Sequence, residues 1–144
     1  MNNYKCILVA VDLSKEAKLV ISRAQDMAAK YQSKLILIHV VQPMVLDNTY
    51  ESLPVISVDV EKALYQRATQ YLRALSEDMQ LAEDVPLRVE LGSAKGEILR
   101  VAEEVGADLL VIGTHGRHGL ALLLGSTANA VLHGTPCDVL AVRV

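Results

Sequence analysis

Apolar residues come along this chain in two alternating rhythms. Lys5 to Val11 (KCILVAV) is a near-unbroken aliphatic run, the pattern of a strand covered on both faces. Asp12-Leu13-Ser14 interrupts it, and Ser14 is suited to cap a following helix with Glu16 in its first turn. Ala17, Val20, Ile21, Ala24, Met27, Ala28 and Tyr31 then recur at helical spacing along one face. Lys34 to Val41 (KLILIHVV) is a second buried strand. The stretch Gln42 to Ser57 carries Pro43, Asp47, Asn48 and Pro54 and is longer than an ordinary strand-to-helix connection, so it predicts a flap or an insertion.

Val60, Leu64, Ala68, Tyr71, Leu72, Leu75 and Met79 mark an amphipathic helix, and Pro86 to Leu91 (PLRVEL) alternates as an outer strand does. Ser93 predicts the cap of a shorter helix through Ile98, Val101, Ala102 and Val105, which Gly106 ends. Asp108 to Gly113 (DLLVIG) is a fourth strand. After it come a glycine-punctuated loop, a helix from about Ser126 to His133, and a fifth strand over Cys137 to Val144 (CDVLAVRV). This alternation predicts an α/β fold in which a parallel sheet with right-handed crossovers carries helices on both faces. No repeat or linker interrupts it, so residues 1–144 are expected to form a single doubly wound domain.

Composition sharpens that picture. Hydrophobic residues make up 51% of the chain but aromatics only 3%, so the core must be aliphatic. The net charge is −3, and the 14 Lys and Arg are scattered among 17 acids, which argues against a nucleic-acid surface. No apolar run approaches the length of a membrane span, and the chain enters its first strand without an apolar signal region. Cys6 and Cys137 lie in or beside apolar stretches, as free thiols do in a reducing compartment, so the expected location is cytoplasmic.

Open α/β sheets bind ligands beyond the carboxyl ends of their strands, where the strand order reverses. Ala10-Val11-Asp12 follows the first strand. Gly113-Thr114-His115-Gly116-Arg117-His118-Gly119, Leu120 to Leu124 and Gly125-Ser126-Thr127 follow the fourth. In the order 3-2-1-4-5 these two segments would face one another. Glycines admit close backbone approach, and Gly125-Ser126-Thr127 opens a helix whose free N–H groups suit an anion such as a phosphate. Glycine-rich loops also serve simply to make tight turns, so on these residues alone both readings stand.

Gly113-x-x-Gly116, an apolar spacer and Gly125-Ser126 resemble the nucleotide motif of the universal stress protein family. Val11-Asp12-Leu13-Ser14, the His39-Val40 pair and the closing Pro136-Cys137-Asp138-Val139-Leu140-Ala141-Val142 extend the resemblance over the whole chain. It implies a Rossmann-like, five-stranded sheet of order 3-2-1-4-5 and a small cytoplasmic ATP-binding regulatory protein of the stress response, with Mg²⁺ accompanying the nucleotide. Carried over residue by residue, it implies that Ala10, Val11 and Asp12 lie against ribose and adenine, with Asp12 accepting from ribose hydroxyls. Val40 would meet the adenine, Gly113 and Gly116 would turn over the ribose and phosphates, and Gly125, Ser126 and Thr127 would hold the phosphates. Arg117 and His118 are further candidates for phosphate contact, with solvent exposure the default for such a loop. Eight residues, not the usual nine, separate Gly116 from Gly125, which shortens the loop that must arch over the phosphates.

Other readings attach to the same residues. Asp12 could serve only the start of the first helix, and His39 reads as a satisfied core histidine. His115, His118, His133 and Cys137 faintly mimic a zinc spacing, but they belong to separate elements, and no metal site is expected. There is no Gly-Lys-Ser/Thr loop, no G-x-S-x-G elbow and no recognisable acidic pair, so no catalytic residue is assigned and hydrolysis would be slow at most. Two alternatives to an ATP-binding regulator follow: a dimeric UspA-type protein that binds no nucleotide, and a slow ATPase. The apolar last strand lies at what should be a sheet edge and predicts pairing with a second copy, as family members do, with a further protein partner not identifiable from sequence.

Overall fold

The computed structural model describes residues 3–42, 58–114 and 131–144. In chain order the elements are β1 (Cys6–Ala10), α1 (Ala17–Tyr31), β2 (Lys34–Val41), α2 (Val58–Asp78), β3 (Leu87–Leu91), α3 (Ala94–Val105), β4 (Leu109–Gly113) and β5 (Asp138–Val142). A helical turn over 131–134 precedes β5. The strands form a five-stranded parallel sheet in the order β3-β2-β1-β4-β5. Of the expected elements, the segment after Gln42 through Ser57 and the start of the helix expected from Ser126 lie outside the described residues. Among the described residues, no helix is long and apolar enough to cross a membrane.

Because strand side chains alternate between faces, the central strands serve two cores at once. Ile7, Val9 and Val11 of the first strand segment pack with Leu37 and Val111 beneath α1 and α2, which contribute Val20, Ile21, Ala24, Ala68, Leu72 and Leu75. Leu8 and Ala10 pack with Ile38, Leu110 and Ile112 on the opposite face against Ile98, Val101 and Ala102 of α3 and against Val131. Both layers are built of aliphatic side chains, as composition required. Ile7, Leu8 and Leu110 are 0% exposed, and each such side chain contributes about 1.5–3 kcal/mol by leaving water.

Local signals account for most element ends. Ser93 Oγ accepts the Gly96 N–H at 3.1 Å and caps α3. Gly106 ends α3 at φ +67°, with no atom within 4 Å of where a Cβ would stand, so backbone conformation alone selects glycine there. Four of the five strands are shorter than their apolar runs, β1 by two residues, β3 and β4 by one each and β5 by three, while β2 matches its run from Lys34 to Val41. Asp108, expected as the first residue of the fourth strand, lies outside β4 and turns its carboxylate to the N–H groups of Lys5 (3.0 and 2.9 Å) and Cys6 (3.0 Å). That side chain closes the amino end of β1 where the ladder stops.

The start of α1 differs from expectation. Ser14 does not cap the helix: Glu16, expected in the first turn, is itself the cap residue, and its side chain makes no capping bond. Asp12 Oδ1 accepts both the N–H and the hydroxyl of Ser14, and the Ser14 carbonyl accepts the Ala17 N–H at 3.1 Å, so the segment before the helix is a local turn.

The two sheet edges are unlike. Arg88 and Glu90 of β3 join Glu97, Arg100 and Glu104 of α3 in a network of ion pairs between 2.6 and 3.0 Å. Between Asp138 and Arg143, β5 carries only Val139, Leu140, Ala141 and Val142, of which Ala141 is exposed.

Candidate functional site

The register of the sheet locates an opening. β1 pairs with β2 through Ala10↔Ile38, and the Val11 N–H prolongs the contact by donating to the Ile38 carbonyl at 2.9 Å. On its other side β1 pairs with β4 only as far as Val9↔Val111. Beyond Val9 the chain therefore stays with β2 and parts from β4, although Ile112 and Gly113 continue in β4 and pair with β5 through Gly113↔Val142. This is the reversal in strand order at which a doubly wound sheet opens a crevice.

Five of the expected site residues converge on that carboxyl end. Ala10 ends β1 and is 2% exposed, Val11 follows at 4%, and Asp12 stands at 6%. Asp12 Oδ1 accepts the Ser14 N–H at 3.0 Å and the Ser14 hydroxyl at 2.5 Å, a local turn that fixes the carboxylate as the chain leaves the sheet. Val40 lies half-buried near the end of β2 and packs against the same core as Ala10. Gly113 ends β4, and the next N–H, from Thr114, donates to the Val142 carbonyl at 2.8 Å. Thr114 Oγ1 in turn accepts the Val144 N–H at 3.3 Å, which ties the end of β5 to the same rim. Gly116, Arg117, Gly125, Ser126 and Thr127 lie outside the described residues.

Two neighbours of this rim came out of the sequence only as core positions. His39 is 8% exposed, and its Nδ1 lies 2.8 Å from the Val11 carbonyl oxygen. A carbonyl can only accept, so Nδ1 carries the proton. Tyr71 of α2 places its hydroxyl 3.4 Å from the Ser14 carbonyl. Burial raises the Tyr71 phenol above its ordinary value, and the nearby Asp12 charge adds to the rise. The available signal was a hydroxyl-bearing aromatic on the buried face of an otherwise aliphatic helix.

The sequence model of the universal stress protein family matches residues 3–143. The chain belongs to that family. Universal stress protein A homolog 2 of Coxiella burnetii is 40% identical over the whole of this universal stress protein and 98% of its own length. Among solved structures, universal stress protein UspA from Lactobacillus plantarum superposes with a TM-score of 0.74 at 26% identity, covering 99% of this chain and 100% of its own. A universal stress protein solved in complex with cAMP superposes with a TM-score of 0.71 at 28% identity, covering 98% of each chain. The strand order that the resemblance implied is the one this universal stress protein has.

Proposed function

We propose that this universal stress protein binds an adenine nucleotide, ATP with Mg²⁺, in the crevice between β1 and β4, and acts as a cytoplasmic regulator of the stress response. The observation that carries the reading is the parting of β1 from β4 beyond Val9, with Ala10, Val11, Asp12, Val40 and Gly113 gathered at the opening. The residues fit the group. A buried carboxylate suits ribose hydroxyls, the half-buried Val40 offers apolar surface to a base, and the end of β4 is glycine, which admits close approach. The similar structure with cAMP bound supports an adenine nucleotide in this fold. Gly116, Arg117, Gly125, Ser126 and Thr127 are proposed to hold the phosphates. The bound nucleotide would act by changing contacts with a partner protein, in a dimer paired through β5.

Calorimetric titration with ATP and Mg²⁺, repeated with ADP and AMP, tests the reading. Binding near micromolar concentration with a preference among the three is expected. The eight-residue spacer between Gly116 and Gly125 favours a second reading, a stress protein of the same fold without a nucleotide. Absence of heat and of any thermal shift up to millimolar ATP would overturn the first reading in favour of the second.

A further inference from the structure

β4 lies along one side of β5 through Gly113↔Val142, and among the described residues no strand lies on its other side. The Val142 carbonyl accepts the Thr114 N–H at 2.8 Å, and the Val144 N–H donates to Thr114 Oγ1 at 3.3 Å. The even-numbered positions of this strand thus turn their backbone groups toward β4. Successive residues of a strand turn those groups to opposite sides, so Val139, Ala141 and Arg143 direct theirs outward along the sheet edge. Cys137 has the same parity, but its N–H and carbonyl are both engaged by the Thr135 hydroxyl, at 3.3 and 3.1 Å. The outward ladder therefore begins at Val139.

A second copy related by a two-fold axis normal to the sheet runs antiparallel and sets residue i against j and j against i. Outward residues then meet outward residues, and each such pair exchanges two N–H···O bonds. For Val139, Ala141 and Arg143 one register engages all three, with Ala141 opposite itself and Val139 opposite Arg143 on both sides of the axis. The side chains agree with it. Ala141 is small and exposed where the axis passes. Arg143 is exposed and comes beside the half-buried Val139 of the other copy, whose apolar surface its aliphatic stem can cover. The two Arg143 side chains stand roughly 13 Å apart along the strands. Neighbouring registers are poorer. Centring on Leu140 sets Arg143 against Cys137, whose groups Thr135 already holds. Centring on Val142 brings the two arginines to about 7–8 Å on one face, a like-charge diagonal.

We propose that β5 pairs with β5 of a second copy in an antiparallel register centred on Ala141, so that the two sheets become one. This rests on the reading of β5 as the dimer strand and adds the residue on the axis and the partners on either side of it. The Thr135 hydroxyl sets where the ladder between the copies stops, and the arginines set which of the remaining registers is taken.

Single cysteines read the register directly. A hydrogen-bonded antiparallel pair sets its Cα atoms about 5.5 Å apart, within the span of a disulfide. Under mild oxidation with copper phenanthroline, Ala141→Cys is expected to run as a covalent dimer on a non-reducing gel. Val139→Cys alone, Arg143→Cys alone and the unsubstituted protein with its native Cys137 are expected to stay unlinked. A mixture of Val139→Cys and Arg143→Cys is expected to link in its mixed dimers. Hydrogen exchange gives a second readout: the Val139, Ala141 and Arg143 amides should exchange at least about a hundredfold faster in Ala141→Lys than in the original, with Leu140 and Val142 slow in both. Linking of Val139→Cys or Arg143→Cys alone while Ala141→Cys stays unlinked, or equal exchange of the outward amides in the two proteins, overturns the register. Failure of the dimer reading shows separately, as a monomeric unsubstituted protein in sedimentation, and the register falls with it.

Discussion

Replacing Asp12 by alanine removes the acceptor that holds two groups of Ser14, its N–H at 3.0 Å and its hydroxyl at 2.5 Å, in a place where Asp12 is 6% exposed. A donor stranded at such a site costs about 1–3 kcal/mol. Relief of a buried carboxylate offsets part of the loss, leaving a net of about 2 kcal/mol. For a domain near this size each kcal/mol moves the melting temperature by about 2–4 °C, so Asp12→Ala should melt about 6 °C lower. Asp12→Asn keeps an oxygen for Ser14 but makes the bonds neutral, roughly halving their strength, and should melt only about 2–3 °C lower. Ligand binding divides the variants differently. Both lose the carboxylate proposed to accept from ribose hydroxyls, so both should weaken ATP binding by about tenfold or more. Scanning calorimetry and ATP titration on the same preparations give the two readouts. An alanine variant that melts within about 1 °C of the original refutes the structural role of the turn. An asparagine variant with unchanged ATP affinity refutes the assignment of the carboxylate to the ribose.

The unlike sheet edges lead to a second expectation, because an apolar edge such as β5 invites a second copy while the ion-paired β3 side does not. Ala141→Lys, an exposed position, should leave melting within about 0.5 kcal/mol yet convert a dimer into a monomer in sedimentation at micromolar concentration. A substituted chain that stays dimeric would place the interface elsewhere, and a monomeric original would remove the dimer altogether. A third expectation concerns alkaline pH. Burial raises the Cys6 and Cys137 thiols and the Tyr71 phenol, and the hydrogen bond to Asp138 raises Tyr4. These groups ionise first in the unfolded chain, near about 8.5 for thiols and about 10 for phenols. Stability is thus fully present below those values and is lost as pH rises through the higher folded ones. The melting temperature should hold from neutrality to about pH 8 and then decline, less steeply in Tyr71→Phe; a flat profile to about pH 11 would refute the argument.

What the sequence by itself determined is what depends on neighbours within a few positions. The run from Cys6 to Ala10, the face of Val20, Ile21 and Ala24, the Ser93 cap and the Gly106 stop were all legible, because periodicity, capping and left-handed backbone are local properties. Locality also misled once. Asp12 and Ser14 can each serve a helix start, yet Asp12 accepts the N–H and hydroxyl of Ser14 and the helix begins only after Glu16. Long-range relations were not in the pattern at all. The same alternation of strands and helices suits many strand orders, and here the resemblance to a family supplied what periodicity could not.

The tertiary structure alone decided where β1 leaves β4, that Asp108 closes the start of β1 from 103 residues away, and that His39 meets Val11 across 28 residues. The physical reason is common to all three. Which polar group finds which partner, and where a sheet opens, is settled by the packing of both cores around the whole sheet, and that packing exists only once distant strands have come together.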